Sequence, residues 1–208
     1  MGKNMSAEFK KPVSVHTLHY VTPNISFYYP MVYGLSDLII QQKINYKITS
    51  LMLQVVSEVI NPYSTTYVTG FYEIKTNERN VLSITLSALG DFGGAHPFTV
   101  VRSVSFDVKT GDYYKLYQLF KPNSHYIEKL SEMVYKQIKE REIPLLGEFK
   151  GVRMDQDYYI ADKTLIIYFQ LYEISPYYVG LPYFSIPIYN ISDIIIKDSI
   201  LDRMLYYL

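Results

Sequence analysis

The segment from Ser36 to Ile60 constrains the fold more than any other. It places Leu38, Ile39, Ile48, Met52, Val55, Val56 and Val59 at helical spacing, so one stripe of a long helix has to be buried against another element. Ser36 or Asp37 is positioned to cap its start by accepting bonds from the free first-turn amides, and Asn61-Pro62 ends it. Beyond it the apolar period drops from 3.6 to 2. Thr65 to Lys75, a polar turn through Asn77 to Asn80, and Val81 to Leu89 read as a hairpin, because Leu82, Ile84, Leu86 and Ala88 alternate with Ser83, Thr85 and Ser87. A glycine loop, Asp91 to Pro97, leads into a strand from Phe98 to Val108 that closes on the turn Lys109-Thr110-Gly111-Asp112.

The rest of the chain extends this pattern. Val13, Val15, Thr17, His19 and Val21 alternate with Ser14, His16, Leu18 and Tyr20 in a two-faced strand ahead of Tyr29-Pro30 and Gly34. Leu116 to Phe120 is a short apolar turn. Ser124 is placed to cap a second helix that runs to about Arg141 and buries Ile127, Leu130, Val134 and Ile138, with Pro144 beyond it. Tyr158 to Ile160 and Thr164 to Leu171 form a hairpin around Ala161-Asp162-Lys163, Tyr183 to Ile188 gives one more strand, and Ser192 to Leu208 is expected to end the chain as a helix. Helices set between runs of sequential hairpins predict an α+β fold, a mainly antiparallel sheet carrying two main helices and a C-terminal one. Residues 1–208 read as a single domain; the alternative division is an N-terminal part, 12–62, and a C-terminal part, 63–208, sharing one core.

Charge and composition exclude several functions. Lys plus Arg and Asp plus Glu are both 20, and no basic stripe is present to neutralise a row of phosphates, so nucleic acid is not an expected partner. With no Cys there are no disulfides, thiolate metal sites or thiol nucleophiles. No run approaches the roughly 20 apolar residues that span a bilayer, and Met1 to Lys11 lacks the apolar middle of a signal peptide, so the chain as written reads as soluble. Met1-Gly2 with Ser6 fits the short myristoylation pattern. A nucleophile elbow, a phosphate loop and a dinucleotide fingerprint are all missing, so no cofactor is implied and no catalytic residue is assigned.

Three segments in order carry a resemblance: Tyr29-Pro30 before the long helix, Gly93-Gly94-Ala95-His96-Pro97 between strands, and Phe106-Asp107-Val108-Lys109-Thr110-Gly111 followed by Leu116 to Phe120. Tyr172-Glu173-Ile174-Ser175-Pro176-Tyr177-Tyr178-Val179-Gly180 resembles the closing motif of the same family. The chain thus resembles the RsiV-like domain family over nearly its whole length. The resemblance implies an extracytoplasmic or secreted bacterial domain of uncharacterised function that binds or senses a cell-wall glycan or a partner protein, lysozyme being the ligand of one member. Where the domain accompanies a peptidoglycan deacetylase, the chemistry belongs to a separate metal-dependent domain whose His-x-x-x-His pair this chain lacks.

Eight residues are candidates for ligand binding. Asp91, Gly93, Gly94 and His96 form the first group: two glycines let backbone approach a ligand closely, and a nearby Asp/His pair can share a proton or a metal, the alternative enzymatic reading. The structural reading weighs more, with Gly93 and Gly94 at positive φ, Pro97 holding His96 extended and the ring bonding a carbonyl. Tyr172, Tyr177, Tyr178 and Tyr183 form the second group, around a Pro/Gly loop. The chain has 23 Tyr, 10 Phe and no Trp, and Tyr suits protein interfaces and stacking on sugars, though a half-buried Tyr is also an ordinary strand residue. No metal site is expected. His16 and His19 lie three apart on a strand and face opposite ways; His125 reads as solvated near a helix start; Asp155 and Asp157 offer too few ligands for calcium and read as a turn; Asp107 reads as bonding turn amides. A plain spacer of an exported protein is the remaining reading.

Overall fold

The computed structural model describes residues 12–205, which leaves Met1, Gly2 and Ser6 outside the described residues. The chain opens with a hairpin of β1 (Ser14–Thr22) and β2 (Ile25–Tyr33), paired in one unbroken antiparallel register around Pro23-Asn24. The sequence reading placed no strand over β2, which contains Pro30, a residue that cannot donate to a ladder. Thr22 and Ile25 flank a two-residue turn, so alternate residues of β2 from Ile25 onward bond β1, and the Pro30 nitrogen points away from it. The next strand pairs with β2 only as far as Phe27↔Gly70, so proline forfeits no bond on that side either. Further along, the Asn45 side chain serves both free groups of Val32, accepting from its N–H and donating to its carbonyl at 2.8 Å each.

The long helix, α1 (Leu38–Val59), crosses from β2 to β3 (Tyr67–Glu78). Asp37 caps it, accepting from the amides of Ile39 and Ile40 at 2.8 and 3.2 Å. It buries Ile44, Ile48, Leu51, Met52, Val55, Val56 and Val59, while Leu38 and Ile39 stay exposed. After β3 come β4 (Val81–Asp91) and β5 (Phe98–Asp107), completing a mixed sheet of order β1-β2-β3-β4-β5 in which only β2 and β3 are parallel. Arg79 and Asn80, both at positive φ, make the tight β3–β4 turn.

Strand β4 is buried on both faces. Leu82, Ile84, Leu86 and Ala88 pack with α1, Phe27 and Phe106 in a first core. Ser83 on the other face bonds the Ser105 hydroxyl at 2.8 Å and accepts from the Ile160 amide at 3.0 Å. Thr76 of β3 donates to the Ile160 carbonyl at 2.9 Å and accepts from the Asp162 amide. These hydroxyls seat a second, antiparallel sheet of β6 (Tyr158–Ala161), β7 (Thr164–Tyr168) and β8 (Tyr183–Pro187). Between this sheet and α2 (Tyr126–Glu140) lies a second core, which includes Leu130, Val134, Ile138, Ile160, Leu165 and Phe184. The architecture is α+β, with the hairpins divided between two sheets.

Two local expectations fail. Ser124 does not cap α2: His125 holds the N-cap position in the left-handed region without a side-chain cap, and the Ser124 hydroxyl has no partner among the described residues. The C-terminal helix does not form as far as Leu205. From Ser192 to Leu205 the chain runs in turns with one short 3-10 stretch, Asp202–Met204, after another at Ile188–Ile191, and Phe120 and Ile195 are joined by an isolated bridge. Lys121 donates its amide to the Ile194 carbonyl and Ile196 donates to Leu119, so backbone groups a helix would satisfy internally are spent on a neighbouring segment. Buried neighbours such as Ile194/Ile195 and Ile200/Leu201 match that irregular path.

Candidate functional site

The glycine loop after β4 and the tyrosine loop after β7 meet over the C-terminal end of α1. The His96 ring packs against Tyr177 at 4.6 Å between centroids, and Tyr177 against Tyr172 at 5.7 Å, making a run of three rings. Tyr177 donates its hydroxyl to the Pro97 carbonyl at 3.0 Å, pinning one loop to the other. The rings line a groove of ≈ 350 Å³ with Phe92, Glu58 and Asn61 among its walls. Tyr172 has φ 62°, a conformation a bulky side chain rarely adopts and one that tertiary contacts must hold.

The other candidates are placed differently. Gly93 has φ 77°, as expected, but Gly94 is not at positive φ; a Cβ there would stand 3.1 Å from the Phe92 ring, so close approach is what favours glycine. Asp91 closes β4 and accepts from the Gly93 amide at 2.9 Å. Among the described residues no bond or ion pair links Asp91 to His96, and the imidazole packs against Tyr177 with the ring planes tilted by 39° instead of bonding a carbonyl. Tyr178 is 78% exposed beside the groove. Tyr183 does not line it; its carbonyl accepts from Arg141 at 2.6 Å and its ring lies 5.5 Å from that guanidinium.

The residues set aside in the sequence occupy separate places. His16 stacks on Tyr33 and His19 on Tyr28. Asp107 accepts from the Lys109 amide in its turn, as read, and also takes a paired bond from Arg203, 96 positions away, at 3.2 and 2.6 Å. Asp155 and Asp157 do not act together, since Asp155 faces Arg153 and Asp157 faces Arg102. Among the described residues no three His, Asp or Glu side chains stand together as a metal site.

Sequence reasoning missed the polar network behind the groove. Arg102 of β5 donates from Nε to Glu58 at 3.0 Å and from Nη1 to Asp157 at 2.6 Å. Gln170 donates to the same Asp157 oxygen at 2.9 Å, and its amide also bonds both the N–H and the carbonyl of Val101. Glu173 accepts from the Gln170 amide at 2.7 Å and pairs with Arg153. A groove wall and the root of the tyrosine loop are thereby fastened to β5. Burial pushes the Asp157 carboxyl above its ordinary value, more than the Arg102 charge and the Gln170 bond lower it. For Arg102 burial opposes the charge, but the Glu58 bond and the two carboxylates raise its pKa overall. No local pattern announces such a network, because its members come from α1, β5 and two loops.

Residues 117–189, which contain α2, the second sheet and the tyrosine loop, match a family model described as a protein of unknown function, DUF3298. Over 186 residues, 81% of this chain, the sequence is 30% identical to the anti-sigma-V factor RsiV of Bacillus subtilis strain 168; the chain spans 64% of that protein's length. Two crystal structures share the fold. A DUF3298 family member from Bacteroides fragilis superposes with a TM-score of 0.70 at 15% identity, covering 95% of this chain and 97% of the other. One from Pseudomonas aeruginosa PAO1 gives 0.66 at 11%, covering 89% and 95%. The chain thus carries a DUF3298 domain at residues 117–189 and, over most of its length, is similar to RsiV.

Proposed function

We propose that this is an extracytoplasmic, non-catalytic binding or sensing domain that takes a cell-wall glycan or a partner protein in the groove between the glycine loop and the tyrosine loop. The observation that carries the reading is the ring run Tyr172, Tyr177, His96, held open to solvent by a network that fixes both loops. Flat rings with polar edges lose little side-chain freedom on binding and stack on sugars or on protein side chains alike. The strained Tyr172 backbone supports the same site, because such strain gathers where a side chain must be presented. Similarity to an anti-sigma factor supports sensing over storage or transport. No helix among the described residues is long and apolar enough to cross a membrane. A hydrolytic Asp91/His96 pair is not what the geometry favours, since Asp91 is engaged with the Gly93 amide.

Retention of the purified chain by solubilised peptidoglycan and by lysozyme tests the proposal. Replacing Tyr172 and Tyr177 together by Ala should weaken binding by about tenfold or more, with Tyr177→Phe separating loss of the Pro97 bond from loss of the ring. Unchanged retention by a folded Tyr172→Ala/Tyr177→Ala chain would rule the groove out.

A further inference from the structure

Four strands end the two sheets, and three of them are covered. Beyond β5, the Gln170 side chain takes the Val101 backbone and Ser105 accepts from the Tyr114 amide. The outer edge of β8 meets Arg141 and Gln137, which donate to the Tyr183 and Ser185 carbonyls. The β6 backbone is held by Ser83, Thr76 and Ser103. An uncovered edge is a template for another strand, and proteins ordinarily blunt it with lysine, proline or a bulge.

Just before β1 the Asn77 side chain of β3 takes both backbone groups of Val13, at 2.9 Å each, but along β1 itself none of these devices is present. Its nine residues, SVHTLHYVT, include no Lys, Arg, Asp, Glu or Pro, and all nine keep one register with β2. The two-residue turn at Pro23-Asn24 sets which groups face β2: Ser14, His16, Leu18, Tyr20 and Thr22 bond it, and Val15, Thr17, His19 and Val21 point outward. Two contacts support that assignment, since Asn24 accepts from the Val68 amide of β3 and Val32 is served by Asn45, both on the side of β2 away from β1. Among the described residues, the outward N–H and carbonyl groups of Val15, Thr17, His19 and Val21 have no partner.

We propose that the free edge of β1 is a dimer interface, on which a second copy of this chain adds its own β1 antiparallel, joining the two five-stranded sheets into one. The strand is self-complementary about Leu18. Antiparallel pairing centred there sets Val15 opposite Val21 of the second copy and Thr17 opposite His19, so every outward residue meets an outward residue and about eight backbone bonds form. Leu18 meets its own copy across the axis, and His16 stands opposite Tyr20. Because β1 carries no acidic or basic side chain apart from its histidines, no fixed like charges are brought together. This interface is separate from the ring groove, so the two proposals stand or fall independently.

Sedimentation equilibrium of the 208-residue chain from about 1 µM to about 500 µM is the test. The wild type should be a concentration-dependent dimer. Thr17→Pro should weaken association by about tenfold or more, because the Thr17 N–H faces outward and its loss costs no bond to β2; the exposed bond between the Thr17 and Tyr72 hydroxyls goes with it, and Thr17→Val, which loses that bond alone, should keep the dimer. Thr17→Lys should also dissociate the dimer, most strongly at low salt, by placing two ammonium groups near the axis. A wild-type monomer throughout the range would overturn the proposal and leave the edge to an extended peptide of another protein. A dimer that Thr17→Pro and Thr17→Lys both leave intact would overturn it equally.

Discussion

The two cores of this molecule are built from the same kinds of side chain and differ in the regularity of the backbone that carries them. The first is a 22-residue helix laid on a sheet, and nearly every member sits at a helical or alternating position, from Ile44 to Val59 and from Leu82 to Ala88. The second has α2 and three short strands at its centre, but much of its mass comes from residues outside them: Val152, Phe169, Ile191, Ile195, Ile200 and Leu201. A periodic element declares its buried face in the sequence, whereas an irregular segment is buried by what it meets. Their boundary differs again. It is made of hydroxyls and a partly buried ion network, which position two surfaces through directional bonds, where apolar packing would leave the register free.

The largest effects should test whether the cores are energetically one unit. Phe27→Ala in the first and Phe184→Ala in the second each remove a fully buried ring and should cost about 3–5 kcal/mol. Urea unfolding followed by far-UV circular dichroism should show each lowering the midpoint of one shared transition. A split transition in either variant would make the cores separate units and break the view of the hydroxyl boundary as a rigid joint.

A smaller effect belongs to the boundary itself. Arg102→Ala leaves the Glu58 and Asp157 carboxylates without their shared cation and should cost about 2–3 kcal/mol. Adding Asp157→Asn should return part of that loss, because one of the stranded charges is then gone. The double-mutant cycle reads the coupling directly, and a value under about 0.5 kcal/mol would reduce the network to a bystander.

The smallest effects compare the starts of the two helices. Asp37→Ala removes a cap that accepts two amide bonds and should cost about 1 kcal/mol. Ser124→Ala removes a hydroxyl with no partner among the described residues and should stay within about 0.5 kcal/mol of wild type. A large loss at Ser124 would show that the hydroxyl does cap α2 in solution.

What was legible follows the same division. Reading the sequence located α1, the β3–β4 hairpin and β5, and α2 with Leu130, Val134 and Ile138 inward, to within a few residues. It placed no strand at β2, where the tolerance of Pro30 depends on which way one backbone nitrogen points and on β3 turning away. It made a helix of the isoleucine-rich C-terminal stretch, whose backbone bonds go to the Leu119–Lys121 segment. Of the candidate site, it named Tyr172, Tyr177 and His96, which come together, and included Tyr183, which does not join them. The Glu58, Arg102, Asp157 and Gln170 network stayed hidden because four unrelated stretches supply it.

Apolar period and capping residues act within a few positions of the chain, so the regular elements and the sidedness of each could be read along it. That two sheets form, that the glycine and tyrosine loops meet over α1, and that the outward groups of β1 from Val15 to Val21 have no partner among the described residues came from long-range pairing alone. Those outcomes depend on directional bonds between residues 44 to 96 positions apart, such as Arg102 to Glu58 and Arg203 to Asp107, and no local pattern encodes a partner at that distance.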